Sequence, residues 1–127
     1  MYATGNGMGH QAEDFLLVAV QFIGIKVVDR KLVNTDPGCP YALARASERE
    51  DWDEGTDFWL YIQTVGWIRL DLTTARKPEV LAKKRARTDV CTFCVNYRTL
   101  EQASRGCERD LTILYTIFES LVKEFVQ

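Results

Sequence analysis

Histidine is nearly missing from this sequence: the only one, His10, sits in the Gly- and Asn-rich segment MYATGNGMGHQ. Schemes in which an imidazole acts as general base or activates a nucleophile therefore lack their usual residue. A cysteine nucleophile would need His10 to fold back onto it. Neither G-x-x-x-x-G-K-[ST] nor G-x-G-x-x-G occurs, which excludes the glycine-rich phosphate loops. Long apolar runs are absent too. The nearest, Phe15 to Val28, is too short to cross a bilayer and contains Gln21 and Lys26. The N-terminus has neither the basic start nor the apolar run of a secretory signal, so the expectation is a cytoplasmic protein with reduced thiols and no membrane partner. There are four cysteines, and only Cys91 and Cys94 are close, whereas a zinc site usually brings two such pairs. Their segment, VCTFCVNY, reads as a strand, where an odd offset sends two side chains to opposite faces. Buried thiols are expected there, not a metal or redox pair.

What is present is an ordinary globular composition. The 127 residues are 46% hydrophobic, enough for one domain with a real core and no covalent staples. Sixteen basic residues against eighteen acidic ones leave a net charge of −2, which favours no partner class. The distribution says more. Carboxylates crowd Ser47 to Asp57 (Glu48, Glu50, Asp51, Asp53, Glu54 and Asp57), and bases crowd Arg76 to Arg87 (Arg76, Lys77, Lys83, Lys84, Arg85 and Arg87).

Hydrophobic periodicity predicts an α+β fold. Residues 1–10 read as a flexible N-terminus and 11–127 as a single α/β domain. A helix is expected from about Gln11, with Phe15, Leu16, Ala19, Phe22 and Ile23 at helical spacing. From Ile25 to Val33 the β-branched residues suit a strand, although the helix could equally run on to Asp29. NTDPGCP, residues 34–40, is a loop, and Tyr41 to Arg49 suits either a short helix or an extended arm. Pro78 to Arg87 reads as a short helix with Pro78 in its first turn. Val90 to Tyr97 reads as a strand buried on both faces. Leu100 to Phe125 reads as one long C-terminal helix interrupted only by the weak point Gly106.

The most legible segment is a hairpin. In DFWLYIQ (57–63), Phe58, Leu60 and Ile62 alternate with Asp57, Trp59, Tyr61 and Gln63; in WIRLDLT (67–73), Ile68, Leu70 and Leu72 alternate with Trp67, Arg69, Asp71 and Thr73. Taking TVG as a three-residue loop centred on Val65 pairs Tyr61 with Arg69 and Trp59 with Asp71. Asp57 and Asp71 then become diagonal neighbours on one face. Two carboxylates so close repel unless a cation lies between them, and Mg²⁺ typically takes one or two carboxylates with waters and phosphate oxygens. A plain solvated strand face would also carry acids, but Trp59, Tyr61 and Trp67 share this face and suggest that it is partly covered.

EGTDFWLYIQTVGWIRLDLTTARK resembles the core of the PD-(D/E)xK nuclease superfamily, in which an acid opens one strand, a second acid lies in the next, and a lysine completes the site. The resemblance implies a restriction-endonuclease-like αβββαβ core, with a small mixed sheet flanked by an N-terminal helix and a long C-terminal helix. It also implies a nuclease dependent on Mg²⁺ (or Mn²⁺) that hydrolyses phosphodiester bonds in DNA. Asp57 matches the first acid and Asp71 the second. The lysine position, two residues on, holds Thr73, so a displaced Lys77, Lys83 or Lys84 would have to serve. Glu50 (or Glu48) is a candidate third metal ligand, and Glu13 a weaker one. Arg69, Lys83, Lys84, Arg85 and Arg87 would hold the nucleic-acid backbone, although a KKRAR run is also what a solvated helix face looks like. Cutting both strands would call for two copies, hence a homodimer. The rival expectation is a non-catalytic α+β binding module, an inactive relative whose aromatic hairpin face serves protein interaction or dimerisation.

Overall fold

A computed structural model of the chain describes residues 4–50, 55–74, 79, 82–83 and 90–126, with side chains from residue 10 onward. The order is helix α1 (Thr4–Phe22), strand β1 (Lys26–Val28), a 3-10 turn (Arg30–Leu32), strands β2 (Tyr41–Arg45), β3 (Phe58–Ile62), β4 (Gly66–Thr73) and β5 (Cys91–Cys94), then helices α2 (Tyr97–Ser104) and α3 (Glu108–Val126). The five strands form one mixed sheet in the order β1-β2-β3-β4-β5. β2, β3 and β4 are an antiparallel meander, while β1 runs parallel to β2 and β5 parallel to β4. The α+β expectation holds.

Register sorts the side chains into two faces. Leu43, Leu60 and Ile68 align across the meander, as do Phe58, Leu70 and Cys91. This face meets Ala12, Leu16, Ala19 and Val20 of α1, Leu100 and Ala103 of α2, and Leu114, Phe118 and Leu121 of α3 in one buried cluster. Those helix positions recur at three- and four-residue steps, the spacing that keeps an apolar stripe on one side. Phe58, Leu60, Leu70 and Phe93 are almost wholly buried, each contributing roughly 1.5–3 kcal/mol of transfer free energy.

The hairpin register differs from the sequence-based pairing by two residues. Tyr61 pairs with Trp67 and Trp59 with Arg69, so the loop is centred on Thr64. Val65 N–H donates to the Ile62 carbonyl (2.9 Å), and Gly66 leaves the turn at φ 104°, a left-handed conformation that glycine adopts without strain. Gly66 is thus the first residue of β4, not the last of the loop. Because the slip is an even number of residues, every side chain keeps its face.

Other departures have local causes. α1 begins at Thr4, ahead of the expected Gln11, since extending a helix costs far less than nucleating one, even through glycine. The strand from Ile25 is cut short at Val28, where Asp29 accepts a hydrogen bond from Lys31 N–H (3.0 Å) and caps the 3-10 turn. Of the segment from Tyr41 to Arg49, residues 41–45 form the extended arm, and the chain turns helical at 48–50. The strand expected over Val90 to Tyr97 is shorter, Cys91–Cys94, and of its four residues Phe93 is buried while Thr92 and Cys94 on the other face are half-buried. The C-terminal helix is two helices, broken where Gly106 takes φ 85°: Cys107 N–H donates to the Gln102 carbonyl (3.1 Å) and Gly106 N–H to that of Ala103 (3.0 Å), the paired bonds of a Schellman stop. Of the short helix expected over 78–87, residues 79, 82 and 83 are helical; the rest lies outside the described residues. No helix among those described is long and apolar enough to cross a membrane.

Candidate metal centre and its arginine neighbour

β3 starts at Phe58, opposite Leu70, but β4 continues to Thr73 alongside β5. Asp57 sits in the fork this leaves. Its carbonyl accepts from Ala46 N–H (3.0 Å), and its N–H donates to the carbonyl of Leu70 (3.0 Å), the residue already paired with Phe58. Two consecutive residues therefore address one, a β-bulge at the mouth of the hairpin. The Asp57 carboxylate then takes over from the missing strand: Oδ2 accepts the N–H of Leu72 at 2.7 Å. Leu72 N is two bonds from Asp71 Cα, so that oxygen lies within about 5 Å of it. Asp71 itself points to the face away from the three helices, with Arg69 and Thr73, and is 8% exposed. The bulge replaces the diagonal pairing that the sequence suggests: Asp57 reaches the backbone beside Asp71 through the Leu72 N–H.

Glu50 has a different surrounding. Its Oε1 accepts from Arg30 Nε (2.7 Å) and Ser47 N–H (2.8 Å), and its Oε2 from Arg30 Nη2 (2.8 Å) and the Trp59 indole N–H (3.0 Å). The Arg30 guanidinium, helped by the Ser47 donors, holds the Glu50 carboxyl down at about 2, against the opposing effect of its burial. The Glu50 carbonyl also accepts from Thr56 N–H (3.1 Å), so this residue fixes the chain immediately ahead of Asp57. Both carboxylate oxygens are spent on protein donors, which suits an anchor better than a cation ligand. Glu48 is exposed. Glu13 lies 3.6 Å from Arg45 Nε on the helix-covered side of β2.

Arg69 pairs across the hairpin with Trp59, its guanidinium carbon 5.5 Å from that ring; Arg30 approaches the same ring at 5.8 Å. Thr73, in the motif lysine's place, is buried. Lys83 is exposed and helical, and makes no hydrogen bond or ion pair with either acid. Lys77, Lys84, Arg85 and Arg87 lie outside the described residues. Among those described, no three His, Cys, Asp or Glu side chains cluster to hold a metal. Cys91 turns to the helix face and Cys94 to the other, and burial, then the charge of Glu124, pushes the Cys91 thiol up. A cavity of about 980 Å³ opens beside this edge, lined in part by Trp59, Trp67, Arg69, Thr92 and Cys94.

Arg30 is the residue that sequence reasoning missed. Its partner Glu50 is twenty residues away, a separation at which no periodicity operates. No family model, curated protein or solved structure matches this chain.

Proposed function

We propose that this chain is a nuclease-fold protein of the restriction-endonuclease-like type that hydrolyses phosphodiester bonds in DNA with a divalent cation. One observation carries the reading: Asp57 Oδ2 accepts the N–H of Leu72, the residue after Asp71, at the fork of an antiparallel meander whose last strand has a parallel neighbour. With α1 ahead of it, this meander and its parallel neighbour support the αβββαβ core that the resemblance implies, with β1 as an added edge strand.

The donor set fits Mg²⁺ or Mn²⁺, because both side chains offer hard carboxylate oxygens. Two carboxylates suffice where water and phosphate oxygens complete the sphere. Such a cation, when bound, polarises the phosphoryl oxygen and lowers the pKa of a coordinated water. The chain's own residues do the positioning. Leu72 N–H and the bulge hold Asp57, Glu50 fixes the approach to it, and the guanidinium of Arg69 supplies positive charge on the face of Asp71. A lysine to support the developing charge would come from the 76–87 run, Lys77, Lys83 or Lys84.

Thr73 supports a second reading. With a buried threonine in the lysine's place, the same fold would serve as a non-catalytic binding module. Plasmid and single-stranded DNA incubated with Mg²⁺ or Mn²⁺ decide between them. Metal-dependent cutting, lost in Asp71→Ala, is expected of the nuclease. No cutting with any cation, or cutting that survives Asp71→Ala, overturns it.

A further inference from the structure

We propose that Arg30 is a preorganised contact for a backbone phosphate of bound DNA, set one residue pair along the sheet from the acidic fork. Its place beside a scissile bond rests on the nuclease reading; its binding of phosphate does not. Three observations carry it. One edge of the guanidinium, Nε and Nη2, is pinned by both oxygens of Glu50 (2.7 and 2.8 Å). The Trp59 ring lies 5.8 Å below its carbon atom, within the range of a cation–π contact. The remaining edge, Nη1, donates to nothing among the described residues, and the side chain is 40% exposed.

An arginine held on one edge and one face has little rotamer freedom left to lose. Its open edge presents N–H donors in a fixed fork, the geometry that suits a phosphate better than a lysine does. Glu50 stays ionised above a pKa of about 2, so the clamp on that edge of Arg30 persists at any ordinary assay pH. Arg69, on the opposite strand, brings a second guanidinium to the same ring at 5.5 Å. Arg69 and Asp71 are two residues apart on one face, a rise of about 6.8 Å along a strand. A DNA strand crossing this face would thus meet the arginines at Trp59 and then the acids at the fork.

The test is binding, measured in EDTA so that cleavage plays no part: fluorescence anisotropy of a labelled duplex and of its single strand across a salt series. Arg30→Gln is expected to weaken binding of either form about tenfold and to lower the slope of log K against log salt by roughly one. Arg30→Lys should restore most of the slope but not the affinity, because charge returns without the fork. If Arg30→Gln proves unstable, Arg30→Lys still carries the affinity comparison. Equal affinity and slope in all three proteins, with only the melting temperature lowered, would show a structural staple and overturn the proposal, as would no binding by the unaltered protein. Binding that depends on Arg30 without any cutting sinks the nuclease reading alone.

Discussion

Four donors converge on Glu50 from three separate places: Arg30 twice, Ser47 and Trp59. The consequence can be read by titration. The unfolded carboxyl releases its proton near 4.5 and the folded one at about 2, so the unfolded state holds more protons between those values. Stability contributed by Glu50 is therefore complete above about pH 4.5 and lost as pH falls toward 2. With Arg30 partly exposed and screened, the contribution is on the order of 2 kcal/mol. Urea unfolding at stepped pH should show Glu50→Gln less stable than the parent at pH 6 or so, with the two curves converging toward pH 2. Parallel curves across that range would mean that the carboxylate charge is not what holds the segment before Asp57. None of this was legible from the acidic run, where Glu50 looked no different from Glu48.

At the scale of the element, hydrophobic alternation carried the β3–β4 hairpin correctly to its faces and failed only at its register. The failure is physical. Alternation has period two, so it is blind to a slip of two; only the turn fixes the pairing, and Gly66 had to be assigned to loop or strand without its φ. The same blindness fused α2 and α3. A stripe at Leu111, Leu114, Phe118 and Leu121 continues the helical period, and Gly106 in a helix costs only about 1 kcal/mol, so the pattern gave no reason to stop. Backbone geometry did, with the left-handed Gly106 and the two bonds that close over it. Gly106→Ala tests that stop. A Cβ there would meet the Phe22 ring at an ordinary 3.7 Å, so the cost is conformational, about 1–2 kcal/mol, and the denaturation midpoint should fall with an unchanged m-value. A single continuous helix would instead gain stability from alanine. In β5 the apolar run came from the helix-covered face and its neighbours, and the opposite face, Thr92 and Cys94, is only half-buried.

Across the whole molecule, the two carboxylates of the fork belong to a chain whose net charge is only −2. General electrostatic attraction then gives a cation little reason to bind, and any specific affinity must come from Asp57 and Asp71 themselves. That makes cation-linked stability a discriminating measurement. Mg²⁺ at about a hundredfold excess over its Kd would stabilise the folded state by about 2.7 kcal/mol, a rise in Tm on the order of 10 °C for a domain of this size. Asp57→Asn is the informative variant, because an amide oxygen still accepts the Leu72 N–H that closes the ladder while the charge is gone. Asp57→Asn and Asp71→Asn should each fold, and each should lose the Mg²⁺-dependent rise. Calcium bears on the same fork, since a larger ion taking more oxygen ligands should stabilise without supporting cutting. If the rise survives both substitutions, the cation binds elsewhere and the fork is only a hydrogen-bonded ladder end. If no divalent ion raises Tm at all, the metal reading fails, and the aromatic face of the hairpin, Trp59, Tyr61 and Trp67, becomes the place to map an interaction.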